Sequence, residues 1–483
     1  MIPKQEILQI ATDTNLSAQV IEKDYVLGWI LAGINKHEAF ARSWVFKGGT
    51  CLKKCYFETY RFSEDLDFTL NEASHLNINF LKDAFSTISE WVYDQSGIEL
   101  PVDRMIFDCY KPGSCQGRVF YRGPVTPTSP QQMPRIKLDL TVQELVVESP
   151  VINLVNHRYS DLPRDGIHIQ CYAYIEVFAE KIRALAERTR PRDLYDVINF
   201  FRRPESQNLA TEVRRVLQKK CDFKDIPTPT YIHLKPHREA CLAGWTDQLA
   251  HQLQALPPFE SFWNELQKFF DWLEHPETII THLENIPSPL HLTSVHDTIP
   301  LDIWRYGSGI PELGMLDRIR FAAANHLCVE ILYAPENRPS NTYIIEPYSL
   351  RRSASGHLLI YALKHQTEDI RAFRTDRIIE AKATSQSFIP SYRIEFLPTN
   401  TSISLTSSAQ TSLGTPKKAR DMRIKSIGKK KSSGFFKGTK HVYQCQLCSK
   451  RFSKKRMSST LNTHKNKHGY KCSGRIGVYI GTR

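Results

Sequence analysis

The stretch 44–70 constrains the fold of this 483-residue chain more than any other part of it. It begins with an apolar run, which predicts a buried strand, and that strand ends at the turn 47–50, of sequence KGGT. Apolar residues at helical spacing follow, and then Asp65 and Asp67 alternate with two apolar residues. Such an alternation is typical of a strand with one polar and one apolar face. The stretch therefore predicts a compact α+β unit in which both carboxylates share a face.

Asp65 and Asp67 predict a metal site. Two carboxylates about 7 Å apart along a strand repel one another unless a cation lies between them. Mg²⁺ (or Mn²⁺) prefers such oxygen ligands and keeps positions open for phosphate groups. Gly48 and Gly49 let the backbone approach phosphates, and the N–H groups of Thr50 and the helix start point at them. A glycine pair alone is commonly an ordinary turn, and D-x-D a solvated strand face, but their order here favours a nucleoside-triphosphate site.

The segments 47–50 and 61–67 (RFSEDLD) together resemble the first motif of the AbiEii/AbiGii nucleotidyltransferase toxins. These proteins belong to the polymerase-beta-like superfamily and act in bacterial toxin–antitoxin and abortive-infection systems. The resemblance implies a polymerase-beta-like core that transfers NMP from an NTP, releases pyrophosphate and is neutralised by a separate antitoxin protein.

A third acid lies further along the chain, where the sequence predicts a strand over 134–148, and it falls in the first part of that strand, 134–141. Its apolar residues alternate cleanly, which places Asp139 at the centre of the polar face of a strand. The resemblance implies that this carboxylate completes the metal site, because two-metal phosphoryl transfer needs a further oxygen ligand. A half-exposed strand acid without a ligand role is the alternative.

The block 174–201 predicts a helix to about residue 187, a basic turn and a second helix from Asp193. It resembles the later motifs of the same family. The resemblance implies that Lys181 contacts the triphosphate, and that Asp193 and Asp196 orient an arginine, the nucleotide or the attacking group. A plain N-cap is the alternative for Asp193, and a solvated helix face for Lys181.

The segment 312–397 predicts a small domain with one helix and several short strands, arranged as an SH3-like barrel or a curled sheet. It is similar to the WYL domain of bacterial regulators, although the tripeptide that names that domain is LLI here. In such domains, arginines near the last motif bind nucleic acid or nucleotide ligands, and Arg374 and Arg377 hold those places. An ion pair between Asp376 and Arg377 is the alternative.

The last 43 residues carry a zinc signature. Cys445 and Cys448 form a C-x2-C pair, which closes tightly around Zn²⁺, and His464 follows. The pattern resembles a Cys2His2 zinc finger, but 15 residues separate Cys448 from His464, more than the usual 12 or so. The fourth ligand is His468 or Cys472; we favour Cys472, because a thiolate is the softer ligand. A module this small would not fold without its metal.

Charge is distributed unevenly along the chain. The net charge is +13, yet 401–483 contains 20 Lys and Arg and the single acid Asp421, so the first 400 residues are net negative. A basic tail on an acidic body predicts contact with the nucleic-acid backbone. Eleven scattered cysteines, no signal-peptide pattern and no apolar run of 18 residues predict a reduced, cytoplasmic protein away from membranes.

The sequence thus predicts a cytoplasmic nucleotidyltransferase toxin that acts on RNA, such as a tRNA 3′ end, with a protein acceptor left open. The alternative is a ligand-sensing, nucleic-acid-binding regulator with an inactive transferase fold. A kinase-like phosphotransferase is a second rival, which would release ADP rather than pyrophosphate. The predicted order is a transferase domain with a helical cap, a linker, a WYL-like β domain, a basic linker and a zinc module, at 1–285, 286–311, 312–397, 398–440 and 441–483.

Overall fold

The structure is a computed structural model that divides into two compact units, Met1–Ala409 and Gln410–Arg483. It describes residues 1–57, 61–126, 132–275, 313–353, 355–396, 441–445, 450–454, 461–462, 464–465, 471–472 and 477–482. The linkers predicted at 286–311 and 398–440 lie outside the described residues.

The first unit begins with three helices. They are α1 (Lys4–Thr14), α2 (Ala18–Lys36) and α3 (Glu38–Ser43). Ser17 caps α2 by accepting a hydrogen bond from the Val20 N–H. The apolar run at the centre of α2 is buried, so this helix forms part of the core.

A mixed sheet follows, and within the described residues it has seven strands in the order β3-β4-β5-β2-β1-β7-β6. The strands are β1 (Trp44–Lys47), β2 (Asp65–Leu70), β3 (Ile106–Lys111), β4 (Ser114–Phe120), β5 (Arg135–Thr141), β6 (Val151–Leu154) and β7 (His168–Cys171). The short helix α4 (Gly48–Cys51) and a π-helical turn (Leu52–Tyr56) follow β1, and α5 (Ile78–Ser96) follows β2.

Two expectations about this sheet are wrong. β5 ends at Thr141 rather than near residue 148, because the N–H groups of Val147 and Glu148 bond to the Glu176 carboxylate instead of a strand. Cys109 and Cys115 form a disulfide across the β3–β4 hairpin, so the cysteines are not all reduced.

Helices cover the rest of the transferase part of the chain. They are α6 (Tyr174–Arg188), α7 (Pro191–Phe201), α8 (Ala210–Phe223), α9 (Tyr231–Leu234), α10 (Arg238–Ala243), α11 (Trp245–Leu249), α12 (Glu260–Trp263) and α13 (Leu266–Glu274). Pro191 opens α7, where its fixed φ suits the first helical position. Arg190 therefore holds the N-cap position, and Asp193 lies inside the first turn, so the N-cap alternative for Asp193 is wrong.

The WYL-like domain consists of one helix and a five-stranded antiparallel sheet in the order β11-β10-β9-β8-β12 among the residues described. Its elements are α14 (Leu313–Ala324), β8 (Leu327–Tyr333), β9 (Asn341–Arg352), β10 (Leu358–Lys364), β11 (Ile370–Arg374) and β12 (Ile378–Ser387). It packs against the transferase domain within the first unit. Tyr195 Oη donates to Asn325 Oδ1 at 2.6 Å, and Arg318 lies 3.7 Å from Asp13.

The second unit is built from short strands. They are β13 (His441–Cys445), β14 (Arg451–Lys454), β15 (His464–Lys465), β16 (Lys471–Cys472) and β17 (Gly477–Thr482). Within the residues described, β13 lies between β14 and β17, β15 pairs with β16, and no helix occurs. The described residues of this unit are thus β-rich, unlike a standard zinc finger with its helix, and the spacing between Cys448 and His464 is also longer than in a standard finger.

No helix in the described parts of the chain combines the length and the apolar character needed to cross a bilayer.

Candidate active site

Three carboxylates meet on neighbouring strands at the centre of the main sheet. β2 and β5 are parallel, and their register sets Asp67 opposite Asp139 and Asp65 opposite Lys137. The apolar residues between the β2 acids are buried, while Asp65 and Asp67 are partly exposed. The structure thus brings together the three acids that the sequence singled out.

The glycine turn lies directly against this carboxylate cluster. β1 is antiparallel to β2 and sets Lys47 opposite Asp67. Gly48 has a φ of +81°, and a Cβ atom there would lie 2.1 Å from Asp67 Oδ2. Only glycine permits both this backbone conformation and this approach. The Thr50 hydroxyl donates to the carbonyl oxygen of Asp65, which fixes the turn to β2.

The electrostatics of the cluster favour a bound cation. Burial raises the pKa of Asp67 to about 6; Lys47 opposes this shift and the Asp139 carboxylate adds to it. Burial also raises the pKa of Asp65, against the opposing effect of Lys137. The Lys137 ammonium lies 2.6 Å from Asp139 Oδ2, as an internal counter-ion. Carboxylates on one face of two adjacent strands supply the hard-oxygen donors that Mg²⁺ or Mn²⁺ prefers, so the residue types and their register suit such an ion.

Lys181 is buried beside the second acidic pair rather than on a solvated helix face. Its Nζ atom lies 2.7 Å from Asp196 Oδ2 and 3.6 Å from Asp193 Oδ1. The two acids therefore fix the position of this ammonium between α6 and α7.

Arg61 is a site residue to which the sequence analysis gave no role. Its guanidinium forms two hydrogen bonds of 2.8 Å with the Asp196 carboxylate and a third, of 3.0 Å, with Gln252 Oε1. A Cβ atom on Gly49 would lie 2.7 Å from Arg61 Nη2, so the guanidinium lies directly against the glycine turn. Although burial works against it, Arg61 and Lys181 hold the pKa of Asp196 well below its ordinary value.

Two further arginines lie near the start of α7, Arg188 at the end of α6 and Arg192 in the first turn of α7. Arg188 makes a two-pronged ion pair with Asp193, at 2.7 and 2.9 Å, which raises the pKa of its guanidinium. Arg192 is different, because its buried Nε–H meets no hydrogen-bond acceptor among the described residues. Burial, and then the nearby Arg61, lower its pKa. In the sequence, only the basic turn between α6 and α7 indicated that these arginines could have a role. Their partners could not be predicted, because the tertiary fold determines them.

The arginines of the WYL-like domain pair differently from the predicted alternative. Arg374, not Arg377, bonds to Asp376, with an Nε–Oδ1 distance of 3.0 Å. Arg377 instead bonds to Glu336. The predicted ion pair between Asp376 and Arg377 is therefore wrong.

The second unit gathers part of the predicted zinc ligand set. The donor atoms of Cys445, His464 and Cys472 all lie within 4.8 Å of one another, and the two sulfurs are 3.8 Å apart. His464 Nδ1 lies 2.9 Å from the Asn462 carbonyl oxygen, a contact that orients the ring as in many zinc sites. Cys448 and His468 lie outside the described residues.

The sequence matches two family models. Residues 29–273 match the AbiEii nucleotidyl transferase toxin of type IV toxin–antitoxin systems, and residues 314–383 match the WYL domain. The first of these matches defines a nucleotidyltransferase of the toxin class. Because the first match spans half of the chain, the protein belongs to the AbiEii nucleotidyltransferase toxin family, and it also carries a WYL domain.

Two solved structures are similar to part of the chain, each at 19% identity. A candidate nucleotidyltransferase from H. pylori aligns over 56% of this chain and 100% of its own, with a TM-score of 0.35. MenT4, a nucleotidyltransferase toxin from Mycobacterium tuberculosis H37Rv, aligns over 57% of this chain and 92% of its own, with a TM-score of 0.38. No curated protein is a significant match.

Proposed function

We propose that this cytoplasmic toxin transfers NMP from a metal-bound NTP to a hydroxyl group of RNA and releases pyrophosphate. The observation that carries the proposal is the register of β1, β2 and β5, which sets Asp139 beside Asp67 and Gly48 against Asp67. A carboxylate cluster and an open backbone turn then face the same space, as a metal–triphosphate complex requires.

Asp65, Asp67 and Asp139 would hold the divalent metal. When bound, Mg²⁺ or Mn²⁺ supplies neutralisation of the triphosphate charge and makes the acceptor hydroxyl more acidic. The pKa of Asp67, which burial raises, supports this role, because a bound cation would offset the cost of burying the carboxylate charge. The Lys137 ammonium, 2.6 Å from Asp139 Oδ2, would hold that carboxylate in place.

The chain's own cations and N–H groups would hold the phosphates. Gly48 and Gly49, which have no side chain of their own, would offer backbone N–H groups, and Thr50 would add its N–H while its hydroxyl bonds to β2. Arg192 would direct its unsatisfied Nε–H at the triphosphate. Lys181 would lower the negative potential there from its fixed place between α6 and α7.

The C-terminal part of the chain supports an RNA acceptor. Its 20 Lys and Arg against one acid would bind a phosphate backbone without selecting a sequence. A zinc ion held by Cys445, Cys448, His464 and Cys472 (or His468) would fold the module that presents these charges. An antitoxin protein would neutralise the enzyme.

The test is incubation of the full chain with Mg²⁺, each α-³²P-labelled NTP and total cellular RNA. We expect the α-³²P label to enter RNA from one preferred nucleotide, with release of unlabelled pyrophosphate. Asp67→Asn and Asp139→Asn should each reduce this transfer at least 100-fold. Asp83→Asn, on the exposed face of α5, is the matched control and should keep full activity.

Label in the protein rather than in RNA would move the acceptor to a protein. Release of a nucleoside diphosphate would instead identify a phosphotransferase. Full activity of both active-site variants would refute the site itself.

A further inference from the structure

A second cluster of metal-binding groups lies in the WYL domain, away from the carboxylates of the transferase domain. It consists of Cys328 on β8, Glu346 on β9 and His365, directly after β10. Since β9 lies between β8 and β10, its neighbours deliver the thiol and the imidazole to Glu346 from both sides. The His365 N–H donates to the Ile344 carbonyl at 2.9 Å, which fixes the histidine at this point of the sheet.

The three donor atoms converge on one point. Cys328 Sγ lies 3.7 Å from His365 Nδ1, and Glu346 Oε1 lies 2.7 Å from the same nitrogen, all three atoms being within 4.8 Å of one another. An imidazole nitrogen has either one proton or one lone pair, so it cannot satisfy a thiol and a carboxylate at once. A cation between the three groups satisfies them all. Ligand atoms around tetrahedral Zn²⁺ are about 3.5 Å apart. The sulfur–nitrogen distance of 3.7 Å is close to this value, and Glu346 Oε1, at 2.7 Å, would move away from Nδ1 when the ion enters.

The outer atoms of two of these groups are also held, as is usual for metal ligands. Tyr348 Oη donates to Glu346 Oε2 at 2.8 Å. The side-chain amide of Gln386, on β12, lies 2.7 Å from His365 Nε2 and can accept that N–H through its oxygen after a half-turn of the amide. These contacts leave Oε1 and Nδ1 directed at the centre of the cluster.

Exposure gives an ion a route into the cluster. Cys328 and Glu346 are buried, but the side chain of His365 is 32% exposed. A thiolate and a carboxylate would together balance the two charges of the ion, so no net charge would be buried.

The geometry points to a zinc site in the WYL domain, with Cys328, Glu346 and His365 as protein ligands and a fourth position open to water or to a small ligand. Such an ion would join β8, β9 and the end of β10. The ligand set suits Zn²⁺ rather than Mg²⁺, because it includes sulfur and nitrogen.

The test is zinc binding by the full chain, with the protein first stripped of metal and then dialysed against Zn²⁺ alone. Cys328→Ser and His365→Gln should each bind one zinc ion fewer than the wild type. Cys241→Ser removes a buried thiol that belongs to no such cluster among the described residues, so it should bind as much zinc as the wild type. Gln386→Leu, at an exposed position, should keep the stoichiometry but weaken binding of one ion by about 10- to 100-fold.

Each variant is compared with the wild type, and both bind the same zinc in the C-terminal unit. The difference in the number of bound ions therefore reports this site alone. Circular dichroism checks that each variant is folded, and His365→Gln decides the matter if the buried Cys328→Ser does not fold. An unchanged number and affinity of zinc ions in His365→Gln would overturn the proposal.

Discussion

At the scale of single residues, the active site depends on the close approach of Gly48 to Asp67. Residue 48 combines a left-handed backbone with the lack of room for a Cβ atom. Any turn glycine can have the first property, whereas the second property places the turn directly against the Asp67 carboxylate. These two contributions can be separated by mutation.

Gly48→Ala should reduce nucleotidyl transfer by at least 100-fold, because the new methyl group must displace the Asp67 carboxylate. Gly356→Ala is the matched control, since Gly356 has a similar φ of +89° and nothing within 4 Å of a Cβ atom. Both variants should lose about 1 kcal/mol of stability for the backbone conformation, and only Gly48→Ala should lose more. Transfer assays and denaturant melts measure the two effects. Equal activity of the two variants would contradict the role assigned to Gly48.

Asp67→Asn should stabilise the protein in the absence of added divalent ions. The folded pKa of Asp67, about 6, is above that of an unfolded aspartate, about 3.9, so ionising this group costs folding free energy. The stabilising contribution of its proton is complete below about pH 4 and is lost as the pH rises through 6. We therefore expect the variant to be more stable by about 1–2 kcal/mol at pH 7.5, a partly exposed group being screened by solvent.

Denaturant melts of both proteins at pH 7.5 and pH 5 measure this, and the difference should shrink at the lower pH. A variant that is less stable than the wild type at pH 7.5 would show that Asp67 is not strained by burial.

At the scale of elements, α6 and α7 are held together at the site by a buried ion network. Asp196 on α7 binds Arg61 from the loop before β2 and Lys181 from α6, and Asp193 binds Lys181 and Arg188. Removing one member leaves the others charged in a site that water does not reach.

Asp196→Asn should lower the free energy of unfolding by about 3–5 kcal/mol, because Arg61 and Lys181 lose their buried partner. The folded pKa of Asp196 is depressed, so its contribution is present above the unfolded pKa of about 3.9 and is lost below it. The difference between variant and wild type should therefore persist from pH 5 to pH 8. Thermal melts with Asp83→Asn as the exposed control test this, and a change below 1 kcal/mol would contradict it.

The elements that the sequence predicted best have a strong local pattern. The alternation in 134–141 predicts β5 and the face of Asp139, and helical periodicity predicts α6. The features that the sequence did not predict depend on residues far apart along the chain, such as the ion pair of Arg61 with Asp196. The Arg192 Nε–H, which meets no acceptor among the described residues, likewise depends on how the helices pack. No local pattern encodes such pairs, because each arises only when the sheet and the cap have packed. The end of β5 was missed for the same reason, since the Glu176 carboxylate takes the N–H groups that follow it.

At the scale of the whole molecule, the transferase and WYL domains form one compact unit. Their contact includes the buried Tyr195–Asn325 hydrogen bond and ion pairs of Arg158 with Asp317 and Arg318 with Asp13. A change in the WYL domain thus has a physical route to α7, whose first turn contributes to the active site.

Tyr195→Phe should destabilise this unit by about 1–2 kcal/mol, since it leaves Asn325 Oδ1 buried without its donor. Because the domains share this contact, both should still unfold in one transition. Tyr93→Phe, at a position that is 54% exposed, should have no effect. Differential scanning calorimetry measures both results, and separate transitions for the two domains in the wild type would contradict the shared unit.

The parallel pairing of β1 with β7 also sets when the enzyme can first become active during its synthesis. Phe46 pairs with Cys171, so the central strand of the site gains its outer neighbour only after more than a hundred further residues have been made. At about 5–20 residues per second, that interval lasts on the order of 6–25 s. On the ribosome, the sheet that carries the candidate active site therefore stays incomplete for that interval after β1 has been made.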